Sequence, residues 1–324
     1  MALTAPIRDA AMPWLEAALD RDAAAAAALA TGLRPGALPG GDRRLESAAL
    51  IRHKTGRRAL IEYVVRDGSD TRHRILLKCR VREADRRTAA LHDGLAAGAR
   101  SGWTVPRTLG VVPAFHGWLQ AWCPGTDGFT ALAASNGVAA AGAIGGALAG
   151  LHGAATTDRR HGLPAELGVA MRALDGLGER DRTLKSRLDR IRSGLIRRCR
   201  SIRATHPRLL HRDFYPDQVL VHGATVILLD LDLHAMGDAA LDLGNFIGHL
   251  IEHDLRTGSN LAALGPAFVD GYRTAGGRAD AGAIDGYLTL TLARHIALST
   301  IIPGRRHTTA ALLDLCERRL AGAS

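Results

Sequence analysis

The sequence contains almost no lysine and few aromatic residues. Of its 42 lysine and arginine residues only three are lysines, so arginine carries nearly all of the positive charge behind a formal net charge of +10. Such a charge is typical of nucleic-acid-binding proteins. The arginines are dispersed along the chain, however, and aromatic residues make up only 4% of it, which is too few for a base-stacking surface. We therefore expect no nucleic-acid partner.

Cysteine pairs and long hydrophobic runs are also missing. The four cysteines lie far apart and include no Cys-x-x-Cys pair, which excludes the usual zinc site and disulfide framework. Charged residues, among them Arg8, Asp9 and Glu16, interrupt any apolar core of a signal peptide. The longest uncharged stretch, 128–157, is mostly glycine and alanine, a composition that does not favour lipid. These absences predict a cytoplasmic protein that does not insert into a membrane.

The apolar pattern changes character along the 324 residues. The first part predicts one helix, a linker, and then short strands around a single helix: helix 9–33, linker 31–41, strands 47–53, 58–65 and 73–81, helix 83–97, and strands 105–112 and 117–122. The second part predicts long helices with one strand-like interruption at 217–231: helices 130–152, 165–175, 180–203, 239–254, 260–275, 281–301 and 307–321.

A strand-rich part followed by a helix-rich part indicates an α+β protein. We predict a helical extension with its linker at residues 1–44, a small antiparallel-sheet lobe at 45–123 and a large, mainly helical lobe at 124–324. The Pro124-Gly125 pair marks the change in composition and is the expected hinge.

One segment combines residue types that suit phosphoryl transfer. It reads His211-Arg-Asp-Phe-Tyr-Pro-Asp-Gln218, and an apolar strand that ends at Asp230 follows it. Phosphoryl transfer needs a base for the attacking hydroxyl and oxygen ligands for Mg²⁺ at the nucleotide phosphates. Asp213 supplies the base in this interpretation, whereas Gln218 and Asp230 supply the metal ligands. Asp232 is a second candidate for the ligand at the strand end.

The chain resembles the aminoglycoside phosphotransferase and choline kinase-like group of small-molecule kinases, from about residue 47 to about 255. The matching motifs occur in the family's order: Gln120-Ala-Trp-Cys-Pro-Gly125, Gly150-Leu-His152, His211-x-Asp213-x₄-Gln218, Asp230, Gly237-Asp238 and Asp242-Leu243. The resemblance implies a bilobal protein kinase-like fold, Mg²⁺ as cofactor, and ATP or GTP as co-substrate. It also implies a small-molecule substrate that carries a hydroxyl group.

The resemblance also implies roles for further residues. Lys78 ends an apolar strand and would bind the nucleotide phosphates, while the backbone of Gln120, Ala121 and Trp122 would meet the purine. His211 and Asp242 would support the catalytic loop. The acidic partner of Lys78 stays open among Glu83, Asp85 and Asp93, and no glycine-rich loop of the G-x-G-x-x-G type is present.

Two features leave alternatives open. Gln218 stands where the family has asparagine, and the extra methylene moves the amide oxygen by about 1.5 Å, so a weak or inactive nucleotide-binding module is the alternative function. Glu252, Asp254, Asp270 and Asp285 would face an amine-bearing acceptor or simply lie on solvated helix faces. The acceptor is an amino alcohol, a sugar or an aminoglycoside-like compound, and the pattern does not fix an oligomeric state.

Overall fold

The computed structural model describes residues 8–39, 42–98, 102–203 and 205–321. Within these residues the chain forms two compact units, one from positions up to 98 together with 105–124, the other from 102–104 together with 125–321. The predicted small lobe, 45–123, differs from the first unit at residues 102–104. These residues belong with the second unit because Trp103-Thr104 pairs in parallel with Val226-Ile227. Positions 1–7 and 40–41 of the predicted N-terminal extension lie outside the described residues.

The elements up to residue 121 follow the predicted order, except that two helices replace the predicted first helix and the short strand Trp103–Thr104 is additional. In chain order they are α1 (Leu15–Leu19), α2 (Ala24–Gly32), β1 (Arg43–Lys54), β2 (Arg58–Asp67), β3 (Arg72–Arg80), α3 (Arg86–Ala97), β4 (Trp103–Thr104, in the second unit), β5 (Thr108–Val112) and β6 (Gly117–Ala121). Five of the strands form one antiparallel sheet in the order β1-β2-β3-β6-β5.

Burial in the first unit follows the two-residue period of the strands. In β2 the side chains of Ala59, Ile61, Tyr63 and Val65 are buried, whereas the intervening residues are half-buried. The buried face packs against the N-terminal helices, and the Tyr63 hydroxyl donates a hydrogen bond to the Ala18 carbonyl at 2.7 Å. The N-terminal helices are therefore part of the first unit's hydrophobic core.

The predicted single helix over 9–33 is wrong. The chain turns at Asp20–Ala23 between α1 and α2, and the Asp20 carboxylate accepts the Asp22 N–H at 3.2 Å. Alanine favours a helix but does not decide where the helix ends. The turn lets both short helices bury apolar residues in the same hydrophobic core.

The second unit is mainly helical. Its remaining elements are β7 (Thr126–Asp127), α4 (Gly128–Ala133), α5 (Gly137–His152), α6 (Leu163–Arg180), α7 (Lys185–Arg200), β8 (Arg208–Leu210), β9 (Val219–His222), β10 (Thr225–Leu228), β11 (Ala235–Gly237), α8 (Ala240–Thr257), α9 (Gly265–Thr274), α10 (Ala281–Ile301) and α11 (Thr309–Ala321). The predicted helix 130–152 is thus two helices, with the chain turning at 134–136, and the predicted strand 217–231 is the β9–β10 hairpin.

Two small sheets and the packed helices position the site of the second unit. One sheet has the order β4-β10-β9-β7 and the other pairs β11 with β8, while α8 packs along α10 and α5 packs along α9. Among the described residues, no helix combines the length and the apolar character needed to cross a bilayer.

Candidate active site

The segment 211–218 and the end of β10 meet at one end of the β9–β10 hairpin. The Leu229 N–H donates to the Gln218 carbonyl at 2.9 Å, and His211 Nε2 donates to the Leu229 carbonyl at 2.7 Å. Asp230 comes directly after Leu229. The fold therefore joins the loop that carries Asp213 and Gln218 to the strand end that carries Asp230.

Asp242, at the start of α8, holds the beginning of this loop. Its carboxylate is fully buried and accepts the backbone N–H groups of His211 and Arg212, each at 2.7 Å. His152 Nε2 lies 3.0 Å from the same carboxylate, and the other ring nitrogen of His152 lies 2.9 Å from the Tyr272 hydroxyl. Three donors therefore stabilise one buried carboxylate, which in turn fixes the backbone immediately before Asp213.

Two residues of the site have left-handed backbone conformations. Arg212 has φ of +72° and Asp230 has φ of +54°. A side chain with a Cβ atom is strained there, and such residues collect at functional sites where the surrounding structure holds them. One strained position, Arg212, directly precedes the proposed base Asp213, and the other, Asp230, is itself a proposed metal ligand.

Asn245 is a residue of this site that sequence reasoning missed. Its Nδ2 donates to the carbonyl of Phe214, the residue after Asp213, at 2.9 Å. Its Oδ1 accepts from Arg294 at 2.9 Å and from the Thr291 hydroxyl at 3.3 Å. Asn245 is only 2% exposed, and a buried amide three residues after Asp242 on an apolar helix is the signal that could have found it.

Glycine on α8 makes this contact possible. A Cβ atom on Gly244 would lie 2.5 Å from the Leu288 backbone nitrogen and 2.7 Å from the Ile284 carbonyl oxygen. Only a residue without a side chain permits this close approach of α8 to α10. The approach brings Asn245 within hydrogen-bond distance of α10.

Behind Asn245 the network continues to Glu166 on α6. Arg294 lies 3.6 Å from the Glu166 carboxylate, and His161 Nε2 lies 2.8 Å from it. Burial raises the pKa of Glu166, but the His161 hydrogen bond and the Arg294 charge outweigh burial and leave the pKa below its ordinary value.

Burial lowers the pKa of Arg212, against the opposing charges of Glu166, Asp242 and Asp213. These carboxylates favour the charged form of Arg212 beside the proposed base.

The donor set fits a magnesium ion only together with a nucleotide. Among the described residues no three histidine, cysteine, aspartate or glutamate side chains are grouped as a metal site. Asp230 and Gln218 instead offer one carboxylate and one amide oxygen. Mg²⁺ prefers such hard oxygen ligands and commonly completes its coordination with water and substrate phosphates. The Gln218 side chain is buried, 7% exposed, and its amide oxygen is the atom that would bind the ion.

The proposed nucleotide-binding residues lie in the first unit. Lys78 is on β3 opposite Trp118, with its Nζ 5.6 Å from the centre of the Trp118 ring. The N–H of Ala121 donates to the Arg107 carbonyl at 2.8 Å, and the N–H of Trp122 donates to the Arg74 carbonyl at 3.3 Å. These two backbone donors are therefore already engaged within the first unit.

Two of the open candidates for the partner of Lys78 have structural contacts of their own. Asp85 caps α3 by accepting the Thr88 N–H at 3.0 Å, and it lies 3.1 Å from Arg80. Asp93 forms an ion pair with Arg34.

The interpretation of the four helix acids as an amine-binding face is not supported. Glu252 is 3% exposed and lies 3.3 Å from both Arg256 and Arg305. The Asp254 carboxylate accepts the N–H groups of Leu261 and Ala262. Asp285 pairs with Arg198 and Arg319, and Asp270 is exposed, 4.0 Å from Arg273. Arginine or the backbone thus satisfies three of the four acids.

The chain shares its fold with small-molecule kinases of known structure. The spectinomycin phosphotransferase APH(9)-Ia, solved with ADP and spectinomycin, is 11% identical, with a TM-score of 0.57 over 86% of this chain and 94% of that one. The macrolide 2'-phosphotransferase MphH from Brachybacterium faecium is 19% identical, with a TM-score of 0.56 over 91% and 98%. A choline/ethanolamine kinase family protein from Mesorhizobium loti is 18% identical, with a TM-score of 0.54 over 85% and 92%.

A comparison with protein-family profiles goes further than the fold. Residues 45–287, about three quarters of the chain, match the family described as APH, phosphotransferase enzyme family. The protein belongs to this phosphotransferase enzyme family. The predicted family and fold class, an antiparallel-sheet first part and a mainly helical second part, are confirmed. A comparison with curated protein sequences found no significant match.

Proposed function

We propose that the protein transfers the γ-phosphoryl group of ATP to a hydroxyl group of a small molecule. The observation that carries this proposal is the hydrogen-bonded junction between the Asp213 loop and the strand end at Asp230, built on buried Asp242. Phosphoryl transfer depends mainly on positioning and charge neutralisation. The junction fixes the backbone that carries the proposed base, Asp213, and the proposed metal ligands, Gln218 and Asp230.

Asp213 is the proposed catalytic residue. Its carboxylate accepts the proton of the acceptor hydroxyl as the hydroxyl oxygen attacks the γ-phosphorus. The bond between that phosphorus and the β–γ bridging oxygen breaks, so the products are ADP and a phosphate monoester. His211 and Asp242 act as positioning residues, because they hold the loop through hydrogen bonds rather than touching the reacting atoms.

Asp230 and Gln218 would hold Mg²⁺, which when bound neutralises charge on the nucleotide phosphates. Lys78 binds the phosphates as a point charge. The segment Gln120–Trp122 contacts the purine. Because the Ala121 and Trp122 N–H groups are engaged internally, this contact uses backbone carbonyl oxygens or the N–H of Cys123.

The acceptor is a sugar or another hydroxyl compound with little positive charge. Three of the four acids that could hold an amine are satisfied by arginine or backbone groups. The net charge of +10 also repels a polycation at long range. A polycationic aminoglycoside is therefore a poorer acceptor than a neutral sugar, with an amino alcohol between them.

The test is ADP release by the purified protein with a panel of sugars, amino alcohols and aminoglycosides. Asp213→Asn removes the base, and Asp270→Asn makes the same chemical change at an exposed position on α9 as a matched control. We expect at least one acceptor to raise ADP release in the wild type and in Asp270→Asn, but not in Asp213→Asn. If no acceptor raises it above Asp213→Asn, the protein is the inactive nucleotide-binding module instead.

A further inference from the structure

A cleft along the edge of the first unit's sheet has five arginines among its eleven described lining residues. It encloses about 960 Å³ and lies where the turn between α1 and α2 meets the start of β1 and neighbouring parts of β2 and β3. We call it the arginine cleft after its five arginines, Arg21, Arg43, Arg44, Arg72 and Arg74. Among the described lining residues, Asp22 and Glu46 are the carboxylates, so positive charges exceed negative charges by three.

Part of this charge is already paired. Three guanidinium groups each lie against a carboxylate: Arg21 against Asp22 at 3.2 Å, Arg72 against Glu46 at 2.8 Å and Arg74 against Glu62 at 2.7 Å. The hydrogen bond from Arg66, together with the one from Arg72, holds the pKa of Glu46 below its ordinary value although burial opposes this. Glu46 is therefore ionised and its pairing with arginine persists at neutral pH.

Arg43 and Arg44 have no carboxylate partner among the described residues. Arg43 donates to the Leu38 carbonyl at 2.8 Å, which orients the guanidinium but does not neutralise it. Arg44 is exposed. β1 is the edge strand of the sheet, and adjacent residues of a strand point to opposite faces. Arg43 and Arg44 therefore extend from the two faces of the sheet at its edge, and both line the cleft there.

We propose that the arginine cleft binds a small multivalent anion that carries phosphate or carboxylate groups. The guanidinium fork matches both groups geometrically, and an anion would relieve repulsion among the neighbouring arginines. The cleft volume lies within the range of about 300–1,000 Å³ typical of small-molecule sites. This site is additional to the proposed phosphotransfer, because neither Lys78 nor any residue of 211–230 lines the cleft.

The test is calorimetric titration of the full chain with inorganic tripolyphosphate, in a buffer passed over chelating resin so that it holds no divalent metal and no magnesium nucleotide site can form. The variant Arg43→Gln/Arg44→Gln removes the two unpaired charges. Arg172→Gln/Arg200→Gln removes two exposed arginines of the second unit and is matched in net charge. Lys78→Gln removes the lysine proposed to bind nucleotide phosphates, so it distinguishes binding in the cleft from binding at the nucleotide site. Arg44→Gln alone replaces the double variant if that variant does not fold.

We expect saturable binding to the wild type, weakened at least about tenfold in Arg43→Gln/Arg44→Gln because two charge-assisted contacts are lost. The same binding should persist in Arg172→Gln/Arg200→Gln and in Lys78→Gln. Citrate in a parallel titration decides whether carboxylates bind as phosphates do. Absence of saturable binding, equal weakening in both double variants, or loss only in Lys78→Gln would overturn the proposal.

Discussion

The catalytic loop and the arginine cleft present their polar groups in opposite ways. In the loop, backbone groups on both sides of Asp213 are held by Asp242 and Asn245, which are 0% and 2% exposed. In the cleft, charged side chains pair with one another in partly exposed positions, and two arginines have no carboxylate partner within the part of the chain that the structure describes. Buried partners fix a geometry, whereas exposed pairs leave charge accessible to solvent and ligands. The predicted effects of substitution differ accordingly.

The largest effect is expected at Asp242. Asp242→Asn replaces one acceptor oxygen by an amide donor that faces other donors, so we expect a loss of about 2–4 kcal/mol in the free energy of unfolding. Turnover should fall by about 100-fold because the loop before Asp213 is misplaced. Chemical denaturation and ADP release measure the two quantities. Asp280→Asn, which keeps an oxygen to cap α10, is the matched control and should change little. Equal effects at the two positions would contradict the account.

Asn245→Ala should have the next largest effect. It leaves the Phe214 carbonyl and the Arg294 guanidinium without their contacts to this side chain, at an expected cost of about 1–3 kcal/mol. Turnover should fall with KM for nucleotide little changed, because the contact positions the base loop. Thr291→Val removes only the longer hydrogen bond to Asn245 and should cost less. If Thr291→Val costs as much as Asn245→Ala, the contacts of Asn245 with Phe214 and Arg294 contribute little.

A pH dependence follows from buried histidine on α10. Burial, reinforced by the charges of Arg294 and Arg305, lowers the pKa of His295 to about 3, from an ordinary value of 6.5. Below about pH 6.5 this histidine therefore becomes protonated in the unfolded chain but stays neutral in the folded chain. Acid consequently favours unfolding. Stability should fall by up to about 1.4 kcal/mol per pH unit below pH 6.5 for this group, with buried His249 adding in the same direction.

Urea unfolding from about pH 7 to about pH 5 measures this slope. His295→Gln should flatten it, whereas His206→Gln, at an exposed position, should leave it unchanged. A slope that is the same in His295→Gln and the wild type would show that the imidazole is protonated in the folded state.

The smallest effect is expected at the margin of the arginine cleft. Glu62→Gln breaks the two-pronged pair with Arg74, whose side chain is 44% exposed. We expect a change below about 1 kcal/mol, since pairs open to solvent contribute little. A loss comparable with that of Asn245→Ala, measured by the same denaturation experiment, would remove the contrast between the two regions.

Local patterns in the sequence predicted the class of fold and singled out the two segments that the structure joins by hydrogen bonds at the candidate site. The spacing from His211 to Gln218 and the apolar strand before Asp230 are features of short segments, and strand alternation placed the sheet of the first unit. Helix ends were harder, because the turns at 20–23 and 134–136 lie in stretches rich in alanine, where intrinsic propensity favours a continuous helix.

Contacts between distant residues could not be predicted. Arg305 satisfies Glu252 from 53 positions away, and Arg198 reaches Asp285 from 87. Asn245 joins the catalytic loop to α10 only because Gly244 lets the two helices approach closely. A sequence pattern shows which residues can be charged or polar, but only the packed structure shows which partner each one has.

The most direct test of the account is the magnesium dependence of nucleotide binding. Calorimetric titration with the non-hydrolysable analogue AMP-PNP, with Mg²⁺ and with EDTA, compares the wild type with Asp230→Asn. We predict that Mg²⁺ tightens binding to the wild type at least about tenfold, and much less in Asp230→Asn, because that carboxylate is a proposed ligand of the ion. Equal affinity with and without Mg²⁺ in the wild type would contradict the proposed metal site and, with it, the assignment of Asp213 and Asp230 to one reaction centre.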